Sequence, residues 1–175
     1  MWALSASYSK NIFIDSSTFI EARAIGLGVY ESSNVTINNV ITADVRKRED
    51  FDVGGASSVV DKESCVSMCA YFNKADANCY GNTITNSLAV GCRYAGFVVP
   101  GHDCDDAENS QKFRNNVAHS IDGSGANIFP DINGDSHSKC YEGSHFSAYK
   151  CRQHSVAAHF SSEEIRMRHI VSIDN

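Results

Sequence analysis

The sequence predicts an all-β protein that folds as a right-handed parallel β-helix, a fragment of a longer solenoid. Three observations predict this fold: short apolar runs bracketed by turn residues, a repeat of strand, polar corner and strand, and asparagine recurring at the corner. In a β-helix each short strand pairs with the equivalent strand one coil above and below, so tight polar corners must separate the strands. Residues 1–175 are therefore expected to form a single β-helix segment.

The repeat occurs in five stretches. When they are superimposed, an apolar anchor is followed two positions later by a polar residue, and two positions after that by a mostly apolar column. The anchors, which we expect to point into the lumen, are Ile14, Ile37, Ile84, Phe113 and Met167. The polar column is Ser16, Asn39, Asn86, Asn115 and His169. Asparagine tolerates left-handed backbone, and its amides can hydrogen-bond along a stack, so this column predicts a corner.

The spacing of the anchors sets the length of a coil. Ile14 and Ile37 are 23 residues apart, which fits one coil, whereas the intervals ending at Ile84 and Met167 are about twice as long. Each long interval predicts either two coils or one coil with an inserted loop. The polar residues around 44–78 include glycines and cysteines, and we assign them to a Cys-containing loop insertion.

The stretch NSLAVGCRYAGFVVPGHDC, from Asn86 to Cys104, illustrates the pattern. Leu88–Val90 is a predicted strand, Gly91 a corner, and Phe97–Val99 a strand on the next face. A Pro-Gly pair then ends the pairing. A β-sandwich would also have short strands and glycine-rich turns, but it would leave the aligned asparagines unexplained.

Composition excludes several classes of protein. Hydrophobic residues make up 42% of the chain and charged residues 21%, which indicates a folded domain. The net charge of −6 argues against nucleic acid as a partner, because phosphate binding needs a basic surface. No apolar run reaches the roughly 18 residues of a membrane span, so we expect no direct membrane insertion.

Seven cysteines predict disulfides in an oxidising compartment, because their spacing completes no zinc-binding set. We predict Cys92–Cys104 and Cys140–Cys151, since each pair brackets a loop between neighbouring strands. An odd cysteine remains. Asn34-Val35-Thr36 is a candidate glycosylation site and agrees with a secretory route.

Three stretches carry a resemblance to a known family. They are NNVAHSIDGSGANIF (115–129), AGFVVPGHDC (95–104) and the closing FSAYKCRQHSVAAHF with IRMRHIVSIDN. They resemble the right-handed parallel β-helix region of fibrocystin and fibrocystin-L, which the transmembrane and cell-migration-inducing hyaluronidases share. The resemblance covers most of 75–175, while 43–75 match nothing in the family. It implies an extracellular segment of a large membrane-anchored or secreted protein, at an apical or ciliary cell surface, and it supplies no catalytic motif.

One loop holds candidate catalytic carboxylates: Asp103, Asp105 and Asp106 in GHDCDDAE. Paired carboxylates cleave glycosidic bonds as acid and nucleophile or base. The alternative is a solvated, Cys-anchored turn. The histidines, including His119 and His169, are expected to be packed or hydrogen-bonded side chains.

A second loop resembles a calcium loop in its spacing. Asp131, Asn133, Asp135 and Glu142 match oxygen-ligand positions one, three, five and twelve, but Ser136 stands where such loops have glycine. The alternative is an ordinary Asx-rich turn. We predict no cofactor, and calcium is the one candidate that this spacing raises.

Two functions remain open at this point. The first is a non-catalytic extracellular scaffold or adhesion segment of a large fibrocystin-like protein at a cell or ciliary surface. The second is part of a β-helical, hyaluronidase-like enzyme that acts on polysaccharides. The expected partners are adjoining coils of the same chain, other extracellular proteins and glycans.

Overall fold

The computed structural model describes residues 3–46, 63–71, 74–75, 79–99, 102–104, 112–128, 140–158 and 164–174. These residues form β-strands and no α-helix. In chain order the strands are β1 (Leu4–Ser7), β2 (Phe13–Asp15), β3 (Thr18–Ile20), β4 (Ile25–Tyr30), β5 (Thr36–Asn38), β6 (Ile41–Ala43), β7 (Ser64–Met68), β8 (Ala70–Tyr71), β9 (Lys74–Ala75), β10 (Thr83–Thr85), β11 (Leu88–Val90), β12 (Ala95–Val99), β13 (His102–Asp103), β14 (Lys112–Arg114), β15 (Asn116–His119), β16 (Ser124–Ile128), β17 (Cys140–Tyr149), β18 (Val156–Ala158) and β19 (Glu164–Ile173).

The strands stack into three parallel sheets. Sheet I has the order β1-β4-β7-β12-β16-β18, and sheet II has the order β14-β10-β5-β2. Sheet III has the order β13-β17-β15-β11-β6-β3, with β19 paired to β17. Within the described residues, the antiparallel pairs are β8 with β9 and β13 with β17.

The chain visits the sheets in rotation, and one pass is called a coil here. Coils 1 to 4 are β1-β2-β3, β4-β5-β6, β7-β10-β11 and β12-β14-β15, while coil 5 contains β16 and β17 and coil 6 contains β18 and β19. Each strand therefore lies beside its equivalent in the neighbouring coil. This arrangement is consistent with a β-solenoid and confirms an all-β fold of parallel strands.

The predicted register of the anchors is confirmed. Ile14 pairs with Ile37, Ile37 with Ile84, and Ile84 with Phe113, and all four side chains are buried. Met167 pairs with Gly143, which takes the anchor position of coil 5, and its Sδ lies 3.0 Å from where a Cβ on Gly143 would be. Its side chain follows the same column but is 42% exposed. It lies on β19, whose partner among the described strands is β17 alone, so no further strand covers it.

The loop predicted around 44–78 contains a central strand. β7 lies between β4 and β12 in sheet I, and all five of its residues are buried. Its sequence, SCVSM, looks polar because the small serines Ser64 and Ser67 fill a face that is also buried. The interval from Ile37 to Ile84 is therefore one coil with an insertion, while the interval from Phe113 to Met167 holds two coils. Residues 47–62 of the predicted loop lie outside the described residues.

One part of the core is aromatic. Phe97, Phe113 and Phe146 are fully buried, and their ring centroids are 5.3, 5.6 and 6.0 Å apart. Phe97 belongs to sheet I, and the other two belong to sheets II and III. This cluster therefore joins all three sheets across coils 4 and 5.

The chain has three disulfides, two within coil 3 and one between coils 4 and 5, and their pairing differs from the prediction. The bonds are Cys65–Cys92, Cys69–Cys79 and Cys104–Cys140, while Cys151 is a buried thiol. The predicted Cys92–Cys104 and Cys140–Cys151 bonds are wrong, because the cysteines of each pair belong to different parts of a coil. The backbone N–H of Cys104 donates to the carbonyl of Cys140, which brings those two residues together where β13 pairs with β17.

Cys92 and Cys151 instead occupy one inward-facing column at the corner that follows sheet III. Backbone hydrogen bonds between coils fix this register. The N–H of Arg93, which follows Cys92, donates to the carbonyl of Val45, and the N–H of Arg152, which follows Cys151, donates to the carbonyl of Ile121. All members are buried: Ala22, Val45, Cys92, Ile121 and Cys151. The column is called the inner column below.

Candidate functional site

The most regular exposed feature is the corner between sheets II and III. It consists of Ser16, Asn39, Asn86, Asn115, His145 and His169, called the corner edge here. Each has a φ between 49° and 56°, and each side chain is exposed. Left-handed backbone is costly for most residues but accessible to asparagine, which explains the asparagines in the column. The predicted corner is confirmed.

Hydrogen bonds between side chains connect the lower coils along this edge. The Asn38 amide Nδ2 donates to Asp15 Oδ1 at 2.7 Å, and the Asn39 amide Nδ2 donates to Ser16 Oγ at 3.2 Å. One coil higher, Asn86 Nδ2 donates to Asn38 Oδ1 at 2.8 Å. Side-chain hydrogen bonds therefore join the first three coils at this edge, and they run through Asn38, the residue that precedes the corner, as well as through the corner residues.

These contacts perturb one carboxylate. The Asn38 amide, followed by the Ser16 hydroxyl at 2.8 Å, donates to Asp15 and holds the pKa of that carboxyl below its usual value. Hydrogen bonds to a carboxylate stabilise its charged form. Asp15 therefore places a negative charge at the lower end of the corner edge.

Two buried asparagines hold the backbone at two corners, Asn82 at the corner that precedes sheet II and Asn116 beside the corner edge. Asn82 Oδ1 accepts from the Val35 N–H at 2.8 Å, and its Nδ2 donates to the Ser32 carbonyl. Asn116 makes the equivalent contacts, accepting from the Ser87 N–H at 3.0 Å and donating to a carbonyl of sheet II. Both are buried and both satisfy backbone groups that a corner leaves unpaired, so their role is structural.

The upper end of the edge carries two imidazoles. The rings of His145 and His169 stack with centroids 4.5 Å apart and planes inclined by 29°. The sequence placed His169 at a corner but missed His145, because the anchor of that coil is Gly143 instead of an apolar residue. Aligning GSHFSA with FRNNVA would have found it, since Phe146 pairs with Asn116.

Charged side chains lie just before these histidines. Arg168 Nε is 3.8 Å from Glu142 Oε2, and Arg166 Nε is 2.6 Å from Glu164 Oε1. The hydrogen bond from Arg166 lowers the pKa of the Glu164 carboxyl. Glu142 is almost buried, whereas Arg168 is largely exposed. Each arginine of β19 is thus matched by a carboxylate.

The predicted catalytic and calcium residues are only partly described. Asp103 lies on β13 with its backbone opposite Tyr141, and Glu142 lies on β17 beside Arg168. The other members, Asp105, Asp106, Asp131, Asn133 and Asp135, lie outside the described residues. The catalytic and calcium hypotheses therefore stay predictions.

Asn34, the candidate glycosylation site, lies at the corner that precedes sheet II. Its φ is 56°, its side chain is half-buried, and its Nδ2 donates to Asn11 Oδ1 at 3.4 Å. Glycosylation at this residue stays a prediction.

The described part of the chain holds no group of three or more His, Cys, Asp or Glu side chains arranged to bind a metal ion. It also contains no helix long and apolar enough to span a membrane. Three disulfides indicate an oxidising, extracellular-like environment. Comparisons with protein-family models, with curated proteins and with solved structures found no match.

Proposed function

We propose that this chain is a non-catalytic scaffold or adhesion segment of an extracellular, right-handed parallel β-helix. In this proposal it belongs to a large fibrocystin-like protein at a cell or ciliary surface. The chain serves as a spacer whose outer faces meet other molecules, while the lumen is filled by its own side chains.

The observation that carries the proposal is the pair of unpaired strand edges at the two ends of the stack. Within the described strands, β1, β2 and β3 pair on one side only, as do β18 and β19. An unpaired edge exposes backbone N–H and C=O groups that favour the addition of another strand. A solenoid with two such edges is suited to extension by further coils.

Apolar side chains accompany both edges. At the first edge Phe13 is 70% exposed and Ile20 is also exposed, and at the last edge Met167 and Ile173 are exposed. Covering them would add hydrophobic stabilisation to the backbone pairing. Adjoining coils of the same chain, or strands of other extracellular proteins, are the partners that fit.

Sedimentation of the purified chain over a range of concentrations tests this proposal. We expect concentration-dependent, end-to-end association. Met167→Lys should weaken it about tenfold or more, because a charge would enter the apolar end of the lumen. The matched control is Thr85→Lys, on a strand that is paired on both sides, which should leave association unchanged.

Two results would contradict the proposal. One is a chain that stays monomeric at high concentration, with no association for Met167→Lys to weaken. The other is cleavage of hyaluronan by the chain, lost when Asp103 is replaced with Asn, which would favour the polysaccharide-active alternative.

A further inference from the structure

Two histidines occupy equivalent positions on the last two coils. His145 has a φ of 50° and His169 a φ of 52°, and the residues that follow them, Phe146 and Ile170, are register partners in β17 and β19. Identical backbone on adjacent parallel strands projects both side chains in the same direction. Both imidazoles are exposed to solvent.

We propose that His145 and His169 together bind a divalent transition metal ion of the Zn²⁺ or Cu²⁺ kind, which bridges coils 5 and 6. Imidazole nitrogen is a preferred ligand of these ions. This site is independent of the scaffold function proposed above.

The separation of the rings suits one shared ion. With metal–nitrogen bonds of about 2.0–2.1 Å, two imidazoles that bind one ion have centroids roughly 4.5 Å apart at the right angle of a square-planar Cu²⁺ site and roughly 5.2 Å apart at the tetrahedral angle of Zn²⁺. The observed separation is 4.5 Å. The rings must turn from their 29° inclination so that one nitrogen of each points at the ion. Exposed side chains change rotamer within picoseconds to nanoseconds, so this rotation is accessible.

The surroundings leave the site open. The adjacent guanidinium of Arg168 lies beside the Glu142 carboxylate, which offsets its charge. One coil below, the corner edge continues with Asn115, whose backbone has a φ of 56° and whose side chain is exposed. Two protein nitrogens leave the remaining coordination positions to water, so the site should be weaker than a three-histidine zinc site.

Metal binding would link β19, the last strand of the stack, to β17. β19 has β17 as its partner among the described strands. An ion that binds only the folded pair stabilises that pair in proportion to its concentration and affinity. The last coil would therefore be held more firmly when the ion is present.

Calorimetric titration with Zn²⁺ and electron paramagnetic resonance with Cu²⁺ test the site. We expect one ion per chain and nitrogen splitting from two imidazoles. Replacing either histidine with asparagine should weaken binding by at least about tenfold, because the second ligand contributes through its high effective concentration. Asparagine suits these variants because it already occupies this corner in three other coils.

A gain-of-function variant keeps the test independent of any loss of folding. Asn115→His places a third imidazole in the column and should tighten binding by about tenfold or more. The control is His119→Asn, because His119 lies away from the corner edge. It hydrogen-bonds Ser120 and contacts the Tyr149 ring. This control variant should change affinity less than about twofold. Equal binding by the unmodified chain and by the double variant His145→Asn/His169→Asn would overturn the proposal, as would unchanged affinity in Asn115→His.

Discussion

Coils 3 and 5 solve the same packing problem in different ways. In coil 3 the Cys65–Cys92 bond joins the first strand to the corner that ends the coil, so the coil is a closed covalent ring. In coil 5 the equivalent positions are Gly125 and Cys151. A Cβ on Gly125 would lie 3.2 Å from the Cys151 Sγ. Coil 5 therefore carries one half of the closure that coil 3 completes.

The difference shows how little space this corner has. Coil 2 has Gly26 at the same position of sheet I, where a Cβ would lie 3.2 Å from Val45 Cγ2 of the inner column. In coil 3 both positions carry a side chain, Cys65 in sheet I and Cys92 in the inner column. They fit because two bonded sulfur atoms lie closer together than two atoms in van der Waals contact. In coils 2 and 5 the sheet position is glycine, and coil stability must come from packing.

The largest expected effect is on the packing that holds coil 5. Phe146→Ala should lower the free energy of unfolding by about 3–5 kcal/mol, because it removes one of three rings at the core and leaves a cavity. Urea unfolding monitored by circular dichroism measures this loss. Phe13→Ala, at an exposed ring, is the control and should change stability by about 0.5 kcal/mol or less. A loss below about 1 kcal/mol for Phe146→Ala would show that the aromatic cluster does not stabilise coil 5.

Opening coil 3 should have the next largest effect. The double variant Cys65→Ala/Cys92→Ala should lose about 3–4 kcal/mol, since the bond closes a loop with a sequence separation of 27. Urea unfolding without reductant measures it. Cys151→Ala, in the same inner column but outside the disulfides, is the matched control. If both variants lose the same amount, closure of the coil contributes nothing beyond the buried sulfur.

Closing coil 5 should make it resemble coil 3. In Gly125→Cys the new thiol should bond to Cys151 and make the chain about 2–3 kcal/mol more stable than Gly125→Ser, which adds a similar side chain without a bond. The Ser155 carbonyl, 2.6 Å from where the new Cβ would lie, should make the gain smaller than the loss in coil 3. Peptide mapping under non-reducing conditions detects the bond. A Gly125→Cys chain in which Cys151 still reacts as a thiol after unfolding without reductant would refute the equivalence of the two coils.

The smallest effect concerns pH. Burial raises the pKa of the Cys151 thiol above the usual 9.0. A raised pKa contributes stability that is complete below the pKa of the unfolded thiol and is lost as pH rises through the folded value. Unfolding measured from pH 8 upward should therefore show a decline that Cys151→Ala lacks. Alkylation of Cys151 only after unfolding would agree, whereas rapid alkylation of the native chain would contradict its burial.

The sequence predicted the parts of the fold that depend on periodicity. The columns through Ile14 and Asn39 recur at constant positions relative to each other, because the strands before and after that corner are short and their pairing is regular. β7 was not predicted because its serines make the sequence look like a polar loop. They are tolerated in a central strand because both faces of β7 are buried and serine is small. His145 escaped because Gly143 occupies the anchor position of its coil.

The disulfides could not be predicted from spacing. Cys92 is near Cys104 in the chain, but its partner, Cys65, is one full coil earlier. Two residues of a solenoid are close in space when they occupy nearby positions around a coil, whatever their separation in the chain. Those positions follow only from the pairing of the strands in all three sheets.

The corner between sheets II and III has a constant length, and this has a consequence for how such a chain changes in evolution. The anchor before this corner and the equivalent position in sheet III are four residues apart in every coil, from Ile14 and Thr18 in coil 1 to Met167 and Val171 in coil 6. The long connections all leave from the other two corners. Insertions can therefore accumulate at two edges of the molecule while the third keeps a repeat of about 4.8 Å per coil. A ligand that spans several coils along that edge therefore meets side chains at the same spacing, however long the insertions at the other two corners become.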